Sequence, residues 1–326
     1  AETAAKEGET REFWLTVHVP ADTAAGRYSG AVRLTAADGK AWESALMLEV
    51  LPFVLAPPER VIGMYWHENA WPRETLERQV RDMVEHGVTA VTLALAPKVS
   101  DRQGEMVVDA AELRALLVWL RALGIRGPVP YNNDLQGPLK RAFPGGDFAA
   151  LYPRLIGEME KVSTDPAALK LLYYPVDEIG NDEERGRTAQ TLCGLVGKVR
   201  GATSYITVNN YASGERWGDT FDIWCGNIEY TVEQERKLLA AGKRYMRYGP
   251  AYLNDCRKAR NSSGLGFYRR PAEAMYYWHY QAICGDPYND FDADARDWCV
   301  AYPADDGTPI PTMDWEAIRE GVDDLR

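Results

Sequence analysis

The chain has 326 residues, 46% of them apolar, which is enough core for one large α/β domain or two ordinary ones and excludes disorder as a whole. Its formal charge of -11 sets 37 basic against 48 acidic residues, and the basic ones are scattered, which argues against nucleic acid as a partner. No run approaches the roughly 20 apolar residues of a membrane span, and five widely spaced cysteines without a C-x-x-C pair indicate neither a zinc site nor a dense disulfide framework.

The start at Ala1-Glu2-Thr3 has neither an initiator Met nor a signal peptide's apolar core and reads as a processed or trimmed end. Strand-like runs follow at 13–19, 27–34 and 44–51, joined by turns containing Pro, Gly or Asp, the pattern of a β-meander. Three such strands form a weak unit alone, so residues 1–56 read as the remnant of a β-sandwich, with Ala56-Pro57-Pro58 marking the junction.

From there to residue 326 the rhythm changes. Short apolar runs at 61–66, 90–95, 129–132, 171–176, 204–209, 222–226, 244–248 and 275–280 alternate with amphipathic stretches at 73–86, 111–123, 148–162, 181–200 and 231–241, and a last helix is expected at 315–324. Eight strands, most followed by a helix, predict a (β/α)8 barrel over 57–326, an α/β fold. Neither G-x-G-x-x-G after the first strand nor G-x-x-x-x-G-K-[ST] occurs, so the two common nucleotide-binding signatures are missing.

A barrel carries its active site at the carboxyl ends of its strands. Polar and aromatic groups recur at those positions: Trp66, His67 and Glu68; Tyr131, Asn132, Asn133 and Asp134; Asp177 and Glu178; Asn209, Asn210 and Tyr211; Asn227, Glu229 and Tyr230; Tyr248 and Asn254. The aromatic load suits packing and equally suits stacking on the apolar faces of sugars. Trp66, Trp224 and Trp278 are candidates for stacking walls or for core, and the Asn pairs suit sugar hydroxyls or ordinary loops. His67 reads as a site residue or as a hydrogen-bonded structural one. Asp286, Asp290, Asp292, Asp294 and Asp297 lack the spacing of a calcium loop and read as a solvated acidic loop.

The sharpest feature is Asp177-Glu178, where the buried run 171–176 ends in two adjacent carboxylates. Glycosidic cleavage needs a proton donor and a group opposing the developing oxocarbenium centre, and carboxyl pairs usually supply both. Adjacent residues cannot readily flank a sugar from opposite faces. They can divide labour on one side of a substrate that brings its own nucleophile, such as a 2-acetamido group. The alternative is that the pair opens the loop and helix that follow, although Asp182, Glu183 and Glu184 already fill a helix start.

Several stretches resemble one family: Phe13-Trp-Leu-Thr-Val-His-Val-Pro20 with Ala25-Gly-Arg-Tyr-Ser-Gly-Ala-Val-Arg33, Tyr174-Pro-Val-Asp-Glu178, Tyr276-Tyr-Trp-His-Tyr280, Val300-Ala-Tyr-Pro-Ala-Asp-Asp-Gly307 and Trp315-Glu-Ala-Ile-Arg-Glu-Gly-Val-Asp-Asp324. They are similar to glycoside hydrolase family 123 and its uncharacterised relatives, with Ile179 standing where many relatives have Pro. The resemblance implies an exo-acting, retaining β-N-acetylgalactosaminidase-like enzyme that uses neighbouring-group participation, needs no cofactor and is secreted or periplasmic. It implies that Asp177 positions the acetamido group and that Glu178 is the general acid/base. The remaining expected substrate contacts are Trp66, His67, Asn132, Asn209, Trp224, Tyr230, Tyr248, Asn254 and Trp278. Two other readings stay open: a glycosidase on a non-acetamido glycan, with Glu229 or Asp134 as the second carboxylate, and a sugar-binding barrel without turnover.

Overall fold

The computed structural model describes residues 8–10, 13, 15–68, 71–132, 135–251, 254–294 and 296–326. Two compact units result, Ala1–Pro57 and Pro58–Arg326. In the smaller, strand Gly26–Thr35 pairs antiparallel with Ala41–Val50, and Arg33 faces Glu43 across the ladder at 2.8 Å. That ion pair is solvent-exposed and adds little. The expected third strand over 13–19 does not form: Phe13 and residues 15–19 have no strand pairing, and Trp14 lies outside the described residues. Alternation prepares a run to be a strand, but only a neighbouring edge can satisfy its backbone groups.

The larger unit is a (β/α)8 barrel. Strands Val61–Met64, Ala90–Val91, Val129–Tyr131, Leu171–Tyr173, Tyr205–Val208, Ile223–Asn227, Arg244–Pro250 and Ala274–Trp278 run parallel, each beside the next, and the eighth returns to pair with the first. Single parallel bridges close the two remaining seams. Leu93 accepts from Asn132 N–H at 2.8 Å and donates to Pro130 at 3.1 Å, while Tyr173 N–H reaches the Thr203 carbonyl at 2.8 Å.

Each strand is covered on both faces, and two separate apolar clusters follow. Tyr65, Leu172, Tyr174, Tyr205, Cys225, Met246, Tyr248 and Tyr276 fill the barrel interior, while Ile62, Met64, Val91, Tyr173, Ile206 and Met275 face the helices. Four interior tyrosines meet edge to face: Tyr174 and Tyr205 at 4.9 Å, Tyr205 and Tyr276 at 5.9 Å, and Tyr65 and Tyr276 at 6.1 Å between ring centroids. Gly63 makes room for them, since a Cβ there would lie 2.2 Å from the Tyr276 ring.

Helices Arg73–Glu85, Ala111–Ala122, Phe148–Ser163, Glu183–Val196 and Val232–Ala240 form most of the outer layer and begin and end close to the bounds expected from periodicity. Side chains cap several of them, as Asp147, Asp182 and the Thr231–Gln234 capping box do. Hairpins interrupt the pattern after the second strand, Lys98–Arg102 with Glu105–Asp109, and after the eighth, Gln281–Ala282 with Trp298–Cys299. Among the described residues, no helix is long and apolar enough to cross a membrane.

Candidate active site

The fourth strand ends at Tyr173, and its continuation carries Asp177 and Glu178 over the carboxyl mouth of the barrel. In an unbroken strand these neighbours would point to opposite faces. They do not, because Glu178 adopts a left-handed backbone with φ of 46°. A non-glycine residue there costs about 1–3 kcal/mol, so the surroundings must hold it. Thr207 Oγ1, on the fifth strand, accepts the Glu178 N–H at 2.7 Å, and Asn209 Oδ1 accepts the Gly180 N–H at 2.7 Å. Gly180 is required at that approach, since a Cβ would stand 2.5 Å from Asn209 Oδ1. Ile179 is fully buried and anchors the turn.

Both carboxylates therefore line one cavity of about 410 Å³, together with Tyr65, Asn227, Tyr248, Pro250, Trp278 and Trp298. Asp177 Oδ1 accepts hydrogen bonds from the Tyr174 hydroxyl and from Thr207 Oγ1, the latter at 2.6 Å. Among the described residues nothing bonds Asp177 Oδ2. Glu178 Oε1 accepts from the Tyr248 hydroxyl at 2.9 Å, and Oε2 from Asn181 Nδ2 at 3.3 Å. Burial, reinforced by the Glu178 carboxylate, pushes the Tyr248 hydroxyl well above its ordinary pKa and keeps it a donor. Burial does the same to Tyr174. No third carboxylate lines the cavity among the described residues.

The helix-start alternative fails on position. Asp182 is the N-cap of Glu183–Val196, accepting from Arg185 N–H at 2.7 Å, four residues beyond Glu178.

Thr207 joins the two acids, accepting from the Glu178 backbone and donating to the Asp177 side chain. Thr207→Val leaves that N–H unsatisfied in a left-handed turn, and chemical denaturation is expected to show a loss of about 1–3 kcal/mol, with Thr207→Ser close to wild type. A Val variant as stable as the Ser variant would mean that the turn holds itself.

Other expected contacts separate into two groups. Tyr248 and Trp278 line the cavity. Trp66 and Trp224 do not: they face the helix layer, Trp66 donating to Gln79 Oε1 at 2.8 Å and Trp224 packing on Gly214 and Gly218. Tyr230 is likewise buried among helix-facing residues and donates to the Val208 carbonyl at 2.7 Å. Asn209 supports the turn instead of facing the cavity, and its Nδ2 donates to Asn181 Oδ1 at 2.7 Å. Asn132 is exposed and outside the cavity lining, and Asn254 lines a neighbouring cavity. Asn133 and Asp134 lie outside the described residues. Glu229 is exposed and outside the lining as well.

His67 is exposed and stacks on His279 at 4.4 Å between ring centroids, beside the cavity wall. His279 is fully buried, accepts from Gln281 N–H at its Nδ1 at 3.1 Å, and so carries its proton on Nε2. Burial, and secondarily His67, hold its pKa well below the ordinary value. The unfolded chain therefore takes up this proton first as pH falls. Stability from a neutral His279 is complete above about pH 6.5 and declines below it, towards the folded-state pKa, with a limiting slope of about 1.4 kcal/mol per pH unit. Denaturation at pH 7 and 5 measures the decline, which should be smaller in His279→Gln; equal declines would assign it to other groups.

Tyr65, Thr207 and Trp298 are site residues that residue type and strand-end position alone did not single out. For Tyr65 the sequence sets parity with Gly63 and the structure sets the side. Gly63 and Tyr65 share a face, so once Gly63 faces inward, Tyr65 does too and Trp66 does not. Trp298 sits in a hairpin outside the eight strands and has no such periodic signal.

No family model and no curated protein matches the chain. Solved structures do. A family 39 glycoside hydrolase from the gut symbiont Bacteroides cellulosilyticus WH2 superposes with a TM-score of 0.50 at 13% identity, over 92% of this chain and 71% of that one. An endo-β-1,4-xylanase of family 10 from Gloeophyllum trabeum gives 0.50 at 10% identity, over 81% and 96%. A β-galactosidase from the haloarchaeon Halorubrum lacusprofundi gives 0.51 at 10% identity, over 81% of this chain and 58% of that one. At such identities the likeness is one of fold: the larger unit has the (β/α)8 barrel found among glycoside hydrolases.

Proposed function

We propose that the barrel is a glycoside hydrolase that removes a terminal β-linked 2-acetamido sugar, of the N-acetylgalactosamine type, by substrate-assisted retaining catalysis. The observation that carries this reading is the left-handed Glu178, which turns two adjacent carboxylates into one cavity. The fold shared with solved glycoside hydrolases supports the reaction class. The sequence resemblance to family 123 supports the sugar.

A conventional retaining enzyme needs two carboxylates about 5 Å apart on opposite sides of the sugar. Here both come from one turn, so the nucleophile is assigned to the substrate. Asp177 Oδ2 accepts the acetamido N–H and orients the amide. The amide oxygen attacks the anomeric carbon as Glu178 gives its proton to the departing oxygen, leaving an oxazolinium ion beside the Asp177 carboxylate. Glu178, now a carboxylate, takes a proton from water, which opens the ring at the anomeric carbon and restores the original configuration. Trp278, Trp298 and Tyr65 supply apolar surface for the sugar ring.

The test is a panel of aryl β-glycosides with and without the 2-acetamido group, assayed beside a thiazoline mimic of the cyclised intermediate. Turnover confined to the acetamido substrates, with thiazoline inhibition in the micromolar range or better, is the expected result. Cleavage of glycosides lacking the group, with no thiazoline binding, would overturn the mechanism. Sugar binding without turnover of any substrate would make the barrel a binding module.

A further inference from the structure

We infer that the protein holds an uncharged oligosaccharide beyond the sugar it cleaves, along two further cavities on the loop that follows the eighth strand. This rests on the glycosidase reading above.

Residues 283–297 join Gln281–Ala282 to Trp298–Cys299. At the end of this loop Trp298 walls the candidate active site, and the Arg296 guanidinium lies over its ring, 4.1 Å from the centroid. Arg296 also borders a second cavity of about 400 Å³, shared with Asn254, Asp290, Asp297, Tyr302 and Asp314. Asp290 and Tyr302 then border a third, of about 470 Å³, where the Tyr288 ring stacks on Tyr302 at 5.6 Å and 22°. The second and third cavities thus share Asp290 and Tyr302, and the first, which contains the two acids, abuts the second through the contact of Arg296 with Trp298.

The linings fit sugars. Aromatic faces meet the apolar faces of pyranose rings, while carboxylates and an amide accept their hydroxyls. Asp290, Asp297 and Asp314 line the second cavity beside Asn254 and set carboxylate and amide groups along it. The same lining sets the charge of the chain. Asp290, Asp297 and Asp314 outnumber Arg296, whose guanidinium is already placed on Trp298, so a uronate or sulfate would meet carboxylates at close range. The substrate class is accordingly a neutral oligosaccharide.

Calorimetry on Glu178→Gln decides this without turnover, using neutral oligosaccharides of one, two and four sugars with a terminal β-linked N-acetylgalactosamine, and the tetrasaccharide sulfated on its second sugar. Affinity is expected to rise about tenfold or more from one sugar to four, with the sulfated chain about tenfold weaker than its neutral counterpart. Adding Tyr302→Ala should bring the tetrasaccharide towards the affinity of the monosaccharide. Length dependence in the single variant decides the matter even if the double variant fails to fold. Equal affinity for one sugar and four would overturn the extended groove and leave the cleavage reading standing. Equal binding of the sulfated chain would overturn the exclusion of charge, and no binding of any sugar would overturn the glycosidase reading itself.

Discussion

Glu178→Gln is expected to lower kcat/KM for a 2-acetamido glycoside with a poor leaving group by about 10²–10⁴-fold, the range in which a positioned general acid contributes. The substitution preserves shape, so the turn held by Thr207 and Asn209 survives through its backbone bonds. What disappears is the proton. The loss should therefore shrink for a dinitrophenolate leaving group, which departs unprotonated, while the second half-reaction becomes limiting because water lacks its base. Azide needs no base and should restore turnover, giving a β-glycosyl azide. The diagnostic measurement is the dependence of kcat/KM on leaving-group pKa. A uniform loss across leaving groups, without azide rescue, would remove Glu178 from the acid/base role and assign it to binding or support.

Asp177→Asn tests the other half of the pair. Tyr174 and Thr207 hold Oδ1, which fixes the side chain and leaves Oδ2 without a hydrogen bond among the described residues. An oxazolinium carries positive charge on the very nitrogen that Oδ2 is proposed to meet, so removing the carboxylate charge should cost about 10²–10³-fold in kcat, as loss of one preorganised electrostatic partner does. Affinity for the thiazoline should fall in step, because a mimic of the charged intermediate senses the same partner. Measuring both constants on one preparation separates the possibilities. If kcat falls while thiazoline binding stays, Asp177 does not touch the amide and the loss comes from a disturbed Tyr174–Thr207 arrangement. Thr207→Val, which removes the hydroxyl that binds Asp177, would then report that arrangement, with Thr207→Ser as the control.

The two acids also show where sequence reading ends. Composition and periodicity by themselves determined the barrel: the runs that became strands, the helices between them, and the placing of Asp177 and Glu178 beyond the fourth strand. They also showed that Asp182, Glu183 and Glu184 already fill the helix start, and in the structure Asp182 is the N-cap with Glu183 and Glu184 in the first turn. These are local properties, set by apolar spacing and capping chemistry within a few residues.

Tertiary structure decided what lay beyond that range. A barrel strand is apolar on both faces, so no alternation distinguishes the side that faces the interior from the side that faces the helices, and a shift of one residue exchanges them. For this reason Trp66 and Trp224 went to the helix layer, while Tyr65 and Tyr248 went inward. The run at 13–19 had a strand's pattern, yet its described residues pair with neither outer edge of the hairpin Gly26–Thr35/Ala41–Val50. Trp298 reaches the cavity only through a hairpin whose fold depends on its partner, Ala282. Most decisive is Glu178, whose left-handed backbone is unfavourable for its residue type and exists because Thr207 and Asn209, some thirty residues later, hold the turn. Adjacency of the acids was written in the chain; their convergence came from the fifth strand.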